Sequence, residues 1–285
     1  MTLKQIQTLI YRGEIKSCNY RCGYCPFHKQ DRNDKQQDEA ALWRMVEHLP
    51  ALGSPLNVLI TPYGEALRYR YYMAAMAKIS RYSHVQAVGI QTNASFNLSS
   101  LIATMQDNQG DLAKLRLWCS FHPSQVSKEV FLKQILAIKD AGITCSVGAV
   151  ASVDNYDTFQ WLRAHLPADI YFWLNANERD KRPTSDERNS QFQMLDPLYH
   201  LETSLWPANV EFCIGGKKSV FMNADGDLFA CNISKIKIGN LYQQQLSSPA
   251  CMARQCHCYL AYHLRQDIPA LSQFDAERCF RIFSL

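Results

Sequence analysis

Residues 18 to 25 read Cys-Asn-Tyr-Arg-Cys-Gly-Tyr-Cys, so Cys18, Cys22 and Cys25 sit on one short loop. Three thiolates this close can ligate three irons of a [4Fe–4S] cube, because such clusters are held by cysteine sulfur, and the fourth iron stays open to a small chelating ligand. Zinc is the competing chemistry. It takes four N or S ligands, usually as two separated pairs, and His28 would have to complete the set here. A second group, Cys213, Cys231, Cys251, Cys256 and Cys258, lies in the C-terminal third, with Cys279 further on. Asp225-Gly226 between β-prone runs predicts a hairpin over 220–230 that brings Cys213 and Cys231 together at its base. Cys119 and Cys145 fall inside strands and read as ordinary buried thiols.

Those residues need a frame. The 285-residue chain is 47% hydrophobic and 20% charged, enough for one large domain and a smaller one. A net charge of +4 without a basic run or an aromatic-interleaved patch predicts no nucleic-acid partner. No apolar run approaches the ~20 residues of a membrane span, and the N-terminus lacks the basic and apolar regions of a signal peptide. Eleven cysteines in two main groups suit metal ligation in a reducing compartment better than a disulfide framework. The expectation is a cytoplasmic protein with no membrane partner.

Apolar periodicity alternates down the chain. Strands are expected at 5–11, 57–61, 85–91, 115–121, 143–150 and 170–174, and helices near 42–49, 72–79, 98–105, 130–138 and 159–166. The charged run 29–38 reads as a solvated connection, and Gly142 ends the fourth helix in the left-handed conformation. This order means parallel βαβ units with the chemistry at the C-terminal ends of the strands. The fold expected is α/β, a partial (β/α)6 TIM-like barrel with a small C-terminal extension of β-hairpin plus helix. The division falls at 1–182 and 183–285, the second part opening on a capping box, Thr184-Ser185-Asp186-Glu187, and a helix that Asp196-Pro197 interrupts.

The Cys loop, Gly64-Glu65, Gln91-Thr92-Asn93, Ser120 and Asn175 all fall at strand ends. Glu65 there can accept hydrogen bonds from an ammonium, and Gly64 admits a close backbone approach. Ser, Thr and Asn also favour such turns on their own account. His28 and His122 titrate in a useful range. Neither is assigned a catalytic role.

The loop with its aromatic-then-Cys ending, Tyr24-Cys25, resembles the cluster loop of the radical S-adenosylmethionine (SAM) enzymes. Residues 11–27 also look like a little-described bacterial subfamily of these enzymes. Cys213, twelve residues, Gly226, four residues and Cys231 resemble the opening of the SPASM domain and its shortened twitch form. The resemblance implies a [4Fe–4S] cluster on Cys18, Cys22 and Cys25, with SAM on the open iron cleaved reductively to a 5′-deoxyadenosyl radical. That radical would abstract hydrogen from a small-molecule or peptide substrate in an oxidoreductase-like reaction, with dehydrogenation as one outcome. SAM contacts are implied at Gly64 and Glu65, where Tyr63 and Ala66 replace the family's Gly and Pro, and at Thr92 and Asn93. Ser120 is implied at the ribose and Tyr24 near the adenine.

An auxiliary [4Fe–4S] cluster is implied on Cys213, Cys231, Cys256 and Cys258, with Cys251 as the main substitute. Six C-terminal cysteines favour one such cluster over two. A zinc ribbon-like site is the alternative, since zinc held by four cysteines has the same donors. A low-potential donor of flavodoxin or ferredoxin type is the implied protein partner. The first strand begins almost at the N-terminus, leaving no room there for a separate peptide-recognition domain. This favours a small molecule, or a peptide delivered by a partner. The reading from another class is a non-catalytic Fe–S or zinc-binding protein serving electron transfer or as a scaffold. Such a protein needs no SAM pocket, so Glu65 and Ser120 at strand ends speak against it.

Overall fold

Apolar runs of period two form strands and those of period 3.6 form the helices between them. A computed structural model describes residues 1–27, 35–176, 186–204, 206–248 and 251–283. His28 and the capping-box residues Thr184 and Ser185 lie outside the described residues. The strands β1 (Thr8–Tyr11), β2 (Leu56–Ile60), β3 (Val85–Thr92), β4 (Leu115–Phe121), β5 (Thr144–Val150) and β6 (Phe172–Asn175) pair in parallel in that order. Between them run α1 (Lys35–His48), α2 (Arg70–Ser80), α3 (Leu98–Asp107), α4 (Lys128–Asp140) and α5 (Tyr156–His165). Ser127 caps α4 by accepting from the Val130 N–H, and Gly142 follows it at φ 74°.

After β6 come α6 (Asp186–Leu195), α7 (Tyr199–Thr203), β7 (Ser219–Met222), β8 (Asp227–Phe229), β9 (Lys237–Asn240), β10 (Gln245–Leu246), α8 (Tyr259–Tyr262) and a 3-10 stretch, Pro269–Phe280. The Asp225-Gly226 turn closes the β7–β8 hairpin, with Gly226 at φ 82°, where a side chain would be strained. The hairpin of the C-terminal extension also joins the core sheet, because β7 pairs in parallel with β1, from Thr8 opposite Ser219 to Tyr11 opposite Met222. All ten strands form one sheet, ordered β10-β9-β8-β7-β1-β2-β3-β4-β5-β6. Without β7 the outer edge of β1 would leave its backbone N–H and C=O groups unpaired, and the four buried residues of β7 supply the partner.

Alternation gives the sheet two buried faces. Leu9, Val58, Ile60, Val88, Leu117 and Cys119 pack with residues of α1 to α5. Ile10, Leu59, Ala87, Trp118 and Trp173 pack instead against Tyr259, Leu260, Phe274 and Phe280. That C-terminal segment is pinned across the sheet. Ser146 Oγ donates to the Phe280 carbonyl at 2.9 Å, and Arg281 pairs with Glu202 at 2.6 Å beneath the rings of Tyr259 (3.7 Å) and Trp173 (4.2 Å). Among the described residues no helix is long and apolar enough to cross a membrane.

Candidate functional site

The segment joining β1 to the Cys loop is held by one carboxylate. Asp38 Oδ1 accepts from the backbone N–H of Glu14 (2.7 Å) and Ile15 (2.9 Å) and from the Tyr72 hydroxyl (3.2 Å), and Oδ2 accepts from Tyr71 (2.8 Å). Asp38 is wholly buried, which corrects the reading of run 29–38 as solvated up to its last residue. It is buried because those four donors would otherwise lack an acceptor. On the other side, Gly64 donates to Ile15 O and Glu65 to Ser17 O, each at 2.9 Å. A Cβ on Gly64 would overlap the Ser17 carbonyl, so glycine is required for this close approach.

Cys18, Cys22 and Cys25 are half-buried on the loop that follows. The Cys18 sulfur accepts from the Tyr20 N–H at 3.4 Å and from Asn93 Nδ2 at 3.7 Å. Asn93 also donates to Asn19 Oδ1 (3.0 Å), Asn19 to Ser95 Oγ (2.9 Å), and the Arg21 N–H to Gln125 (2.9 Å). Cys22 lies 3.4 Å from His122 Nδ1, which the Tyr24 hydroxyl meets at 2.7 Å. Burial first, then the neighbouring Cys22, pushes the Tyr24 pKa up. Sequence reasoning missed Asn19, Ser95 and Gln125, because isolated polar residues in loops carry no local signal of what they hold.

Glu65 joins this loop to the ends of β2 and β3. Its Oε1 accepts from Thr92 Oγ1 (2.8 Å) and the Leu67 N–H (3.1 Å), and its Oε2 from the Asn93 N–H (2.6 Å). The residue is 2% exposed. Burial pushes its pKa up to about 7, and the three hydrogen bonds pull the other way. Cys18, Gly64, Glu65, Thr92 and Asn93 therefore form one connected network. Ser120, half-buried near the end of β4, has no hydrogen bond to it among the described residues. Asn175, at the end of β6, accepts from Arg281 Nη1 at 3.2 Å.

The C-terminal cysteines gather at a second place. A cleft is lined by Cys213, Cys231, Cys251 and Cys256, with Ala208, Gly215, Ala230 and Ala261 among its small walls. The strips flanking it are tied by bridges between Pro207 and Gln255 and between Cys213 and Arg265. A Cβ on Gly215 would come within 3.2 Å of the Cys213 sulfur and 2.6 Å of the Ala230 carbonyl oxygen. Burial pushes the thiol pKa of Cys213 and Cys256 up, and that of Cys231 to about 12. Cys258 is outside this lining; its sulfur accepts from Asn232 Nδ2 at 3.1 Å. Cys279 is buried in the packing on the sheet's other face.

Among the described residues no three His, Cys, Asp or Glu side chains converge within reach of a single metal ion. The fit to iron–sulfur clusters rests on donor chemistry. There are three thiols on one loop with N–H donors aimed at Cys18, and four thiols around a cavity that small residues keep open.

Among solved structures the chain is similar to SuiB of Streptococcus suis, solved with precursor peptide SuiA, at TM-score 0.53 and 16% identity over 86% of this chain. It is similar to anSMEcpe with bound AdoMet at TM-score 0.54 and 12% identity, over 82% of this chain and 78% of that one. These neighbours are radical SAM enzymes, and the chain shares their fold. It spans 64% of the SuiB chain. No protein-family model and no curated protein matches the sequence.

Proposed function

We propose that the protein is a radical SAM enzyme acting in the cytoplasm, with a partial-barrel core over 1–182 and a SPASM- or twitch-like region over 183–285. The observation that carries this reading is the network from Cys18 through Asn93 and Thr92 to the buried Glu65. When bound, the first cluster and SAM supply a 5′-deoxyadenosyl radical for hydrogen abstraction, and the second cluster supplies a one-electron acceptor. Every other task falls to the chain.

Cys18, Cys22 and Cys25 hold the first cluster, and the N–H groups of Tyr20 and Asn93 stabilise charge on the Cys18 sulfur. Glu65 accepts the SAM ammonium, and that cation offsets the burial that keeps its carboxyl protonated near neutrality. Gly64, Thr92 and Asn93 hold Glu65 and the loop in register, Ser120 serves the ribose, and Tyr24 packs near the adenine. Cys213, Cys231, Cys251 and Cys256 hold the auxiliary cluster, with Cys251 in the place that the resemblance gives to Cys258. The electron donor is a low-potential flavodoxin or ferredoxin. The substrate is a small molecule or a peptide. Structures of SuiB with SuiA and of anSMEcpe with the Cp18Cys peptide make peptides the first class to screen.

The test is 5′-deoxyadenosine formation from SAM by anaerobically reconstituted protein with dithionite, with Glu65→Ala as the comparison. Product from the wild type, falling at least tenfold in the variant, supports the reading. Cluster-loaded wild type that neither binds nor cleaves SAM would instead indicate a non-catalytic Fe–S or zinc protein.

A further inference from the structure

Three strips of chain meet at the cleft that the C-terminal cysteines line, and Arg265 stands at their junction. The Ile214 N–H donates to Leu264 O at 3.0 Å and the Gln266 N–H to Phe212 O at 2.9 Å, so Cys213 and Arg265 are directly opposed in an antiparallel bridge. Opposed residues in such a pair project to the same face. The third strip carries Cys256, whose N–H donates to Trp206 O at 2.7 Å, and Arg265 Nη1 donates to the adjoining Pro207 O at 2.5 Å. The same Nη1 lies 4.0 Å from the Cys256 sulfur. Arg265 therefore faces two of the four cysteines that line the cleft.

The side chain is 5% exposed and cannot swing away. Nε donates to Asp267 Oδ1 at 2.7 Å and Nη2 to Oδ2 at 2.6 Å, the bidentate pairing that a planar guanidinium makes with a carboxylate. Asp267 takes the edge formed by Nε and Nη2, while Nη1 at the other end approaches Cys256. The pair thus turns its positive end toward the sulfur, with its negative end on a residue that is partly open to water. Burial pushes the thiols of Cys213 and Cys256 up in pKa, and the Arg265 charge pulls both the other way.

We propose that Arg265 is the fixed counter-charge of the auxiliary cluster seat and raises the reduction potential of the cluster held there. This rests on the radical SAM reading above, with Cys213 and Cys256 among that cluster's ligands. Cluster potentials follow net charge and hydrogen bonding at the sulfurs, and reduction adds a negative charge. A cation 4.0 Å from a ligand sulfur therefore favours the reduced form. Asp267 works against it, because its carboxylate offsets part of the cation's field. Arg265 makes and breaks no bond in the reaction. It is a positioning residue that sets how readily the auxiliary cluster accepts an electron.

The experiment is an EPR-monitored potentiometric titration of the whole chain, loaded anaerobically in a Cys18/Cys22/Cys25→Ala background so that only the auxiliary cluster titrates, with iron counted on each sample. Arg265→Gln keeps a donor for Pro207 O and removes the charge. It is expected to lower the potential by about 59 mV, a tenfold change in a one-electron equilibrium. Asp267→Asn removes the opposing charge and is expected to raise it. Opposite shifts from the two halves of one ion pair follow from charge, whereas loss of a structural tie would move both variants the same way. An unchanged potential in fully loaded Arg265→Gln, or an unchanged or lowered one in Asp267→Asn, would overturn the proposal. If Arg265→Gln fails to hold iron, Asp267→Asn decides by the same criterion. A background protein without iron would overturn the auxiliary-cluster reading itself, and the iron count shows this before any potential is measured.

Discussion

Raising the pH through neutrality costs the metal-free protein stability at Glu65. Its carboxyl is displaced by burial from the ordinary 4.5 to about 7. Between those values the unfolded chain has lost this proton while the folded chain keeps it. The folded state binds more protons there, so stability falls as the pH rises. The contribution is fully present below about 4.5 and lost above about 7. At about 1.4 kcal/mol for each factor of ten, the displacement amounts to about 3 kcal/mol.

His263 acts in the opposite direction. It is 2% exposed and held neutral, with its pKa lowered by burial to about 3, so it costs stability as the pH falls from 6.5. The wild-type profile sums these effects with those of the other displaced carboxyls, and Glu65→Gln isolates the Glu65 part because glutamine has no proton to lose. The difference in unfolding free energy between the two proteins moves in favour of the variant by about 3 kcal/mol from about pH 4.5 to about pH 8. Urea unfolding of cluster-free protein under reductant, followed by circular dichroism across that range, measures it. Parallel profiles for the two proteins would refute the burial argument.

Three further outcomes are expected. Asp38→Ala strips the acceptor from two backbone N–H groups and two tyrosine hydroxyls, costs about 3–5 kcal/mol in urea unfolding, and lowers iron uptake at the first seat. A loss under about 1 kcal/mol would mean that water replaces the carboxylate. Cys251→Ala loses about four irons per chain while Cys258→Ala loses none, by iron and sulfide analysis; the reverse would restore Cys258 as the ligand. Arg281→Ala, which leaves Glu202 buried without its partner, lowers stability by about 3–5 kcal/mol in the same unfolding assay, and a neutral result would show the pair to be dispensable.

What could be read from the sequence was local. The strand Leu115–Phe121, the turn at Asp225-Gly226 and the helix end at Gly142 follow from period, turn chemistry and backbone freedom within a few residues. The pairing of β7 with β1 joins segments from opposite ends of the chain, and nothing in either segment names the other. Asp38 sits in a run of lysines, glutamines and aspartates where a buried clamp and a solvated charge look alike. The SPASM resemblance puts Cys258 ahead of Cys251, yet the cleft is shaped by a strip around 207–213 meeting another around 251–256. Nothing in the sequence around Arg281 marks it, and only packing reveals the aromatic cage around it.

The most direct measurement is an anaerobic iron and sulfide count with EPR on the wild type and on a Cys18/Cys22/Cys25→Ala triple variant. The account predicts about eight irons per chain, falling to about four in the variant with the auxiliary signal retained. About four irons in the wild type and none in the variant would contradict the second cluster and leave the C-terminal cysteines as zinc ligands or free thiols. A wild type without iron would contradict the account as a whole.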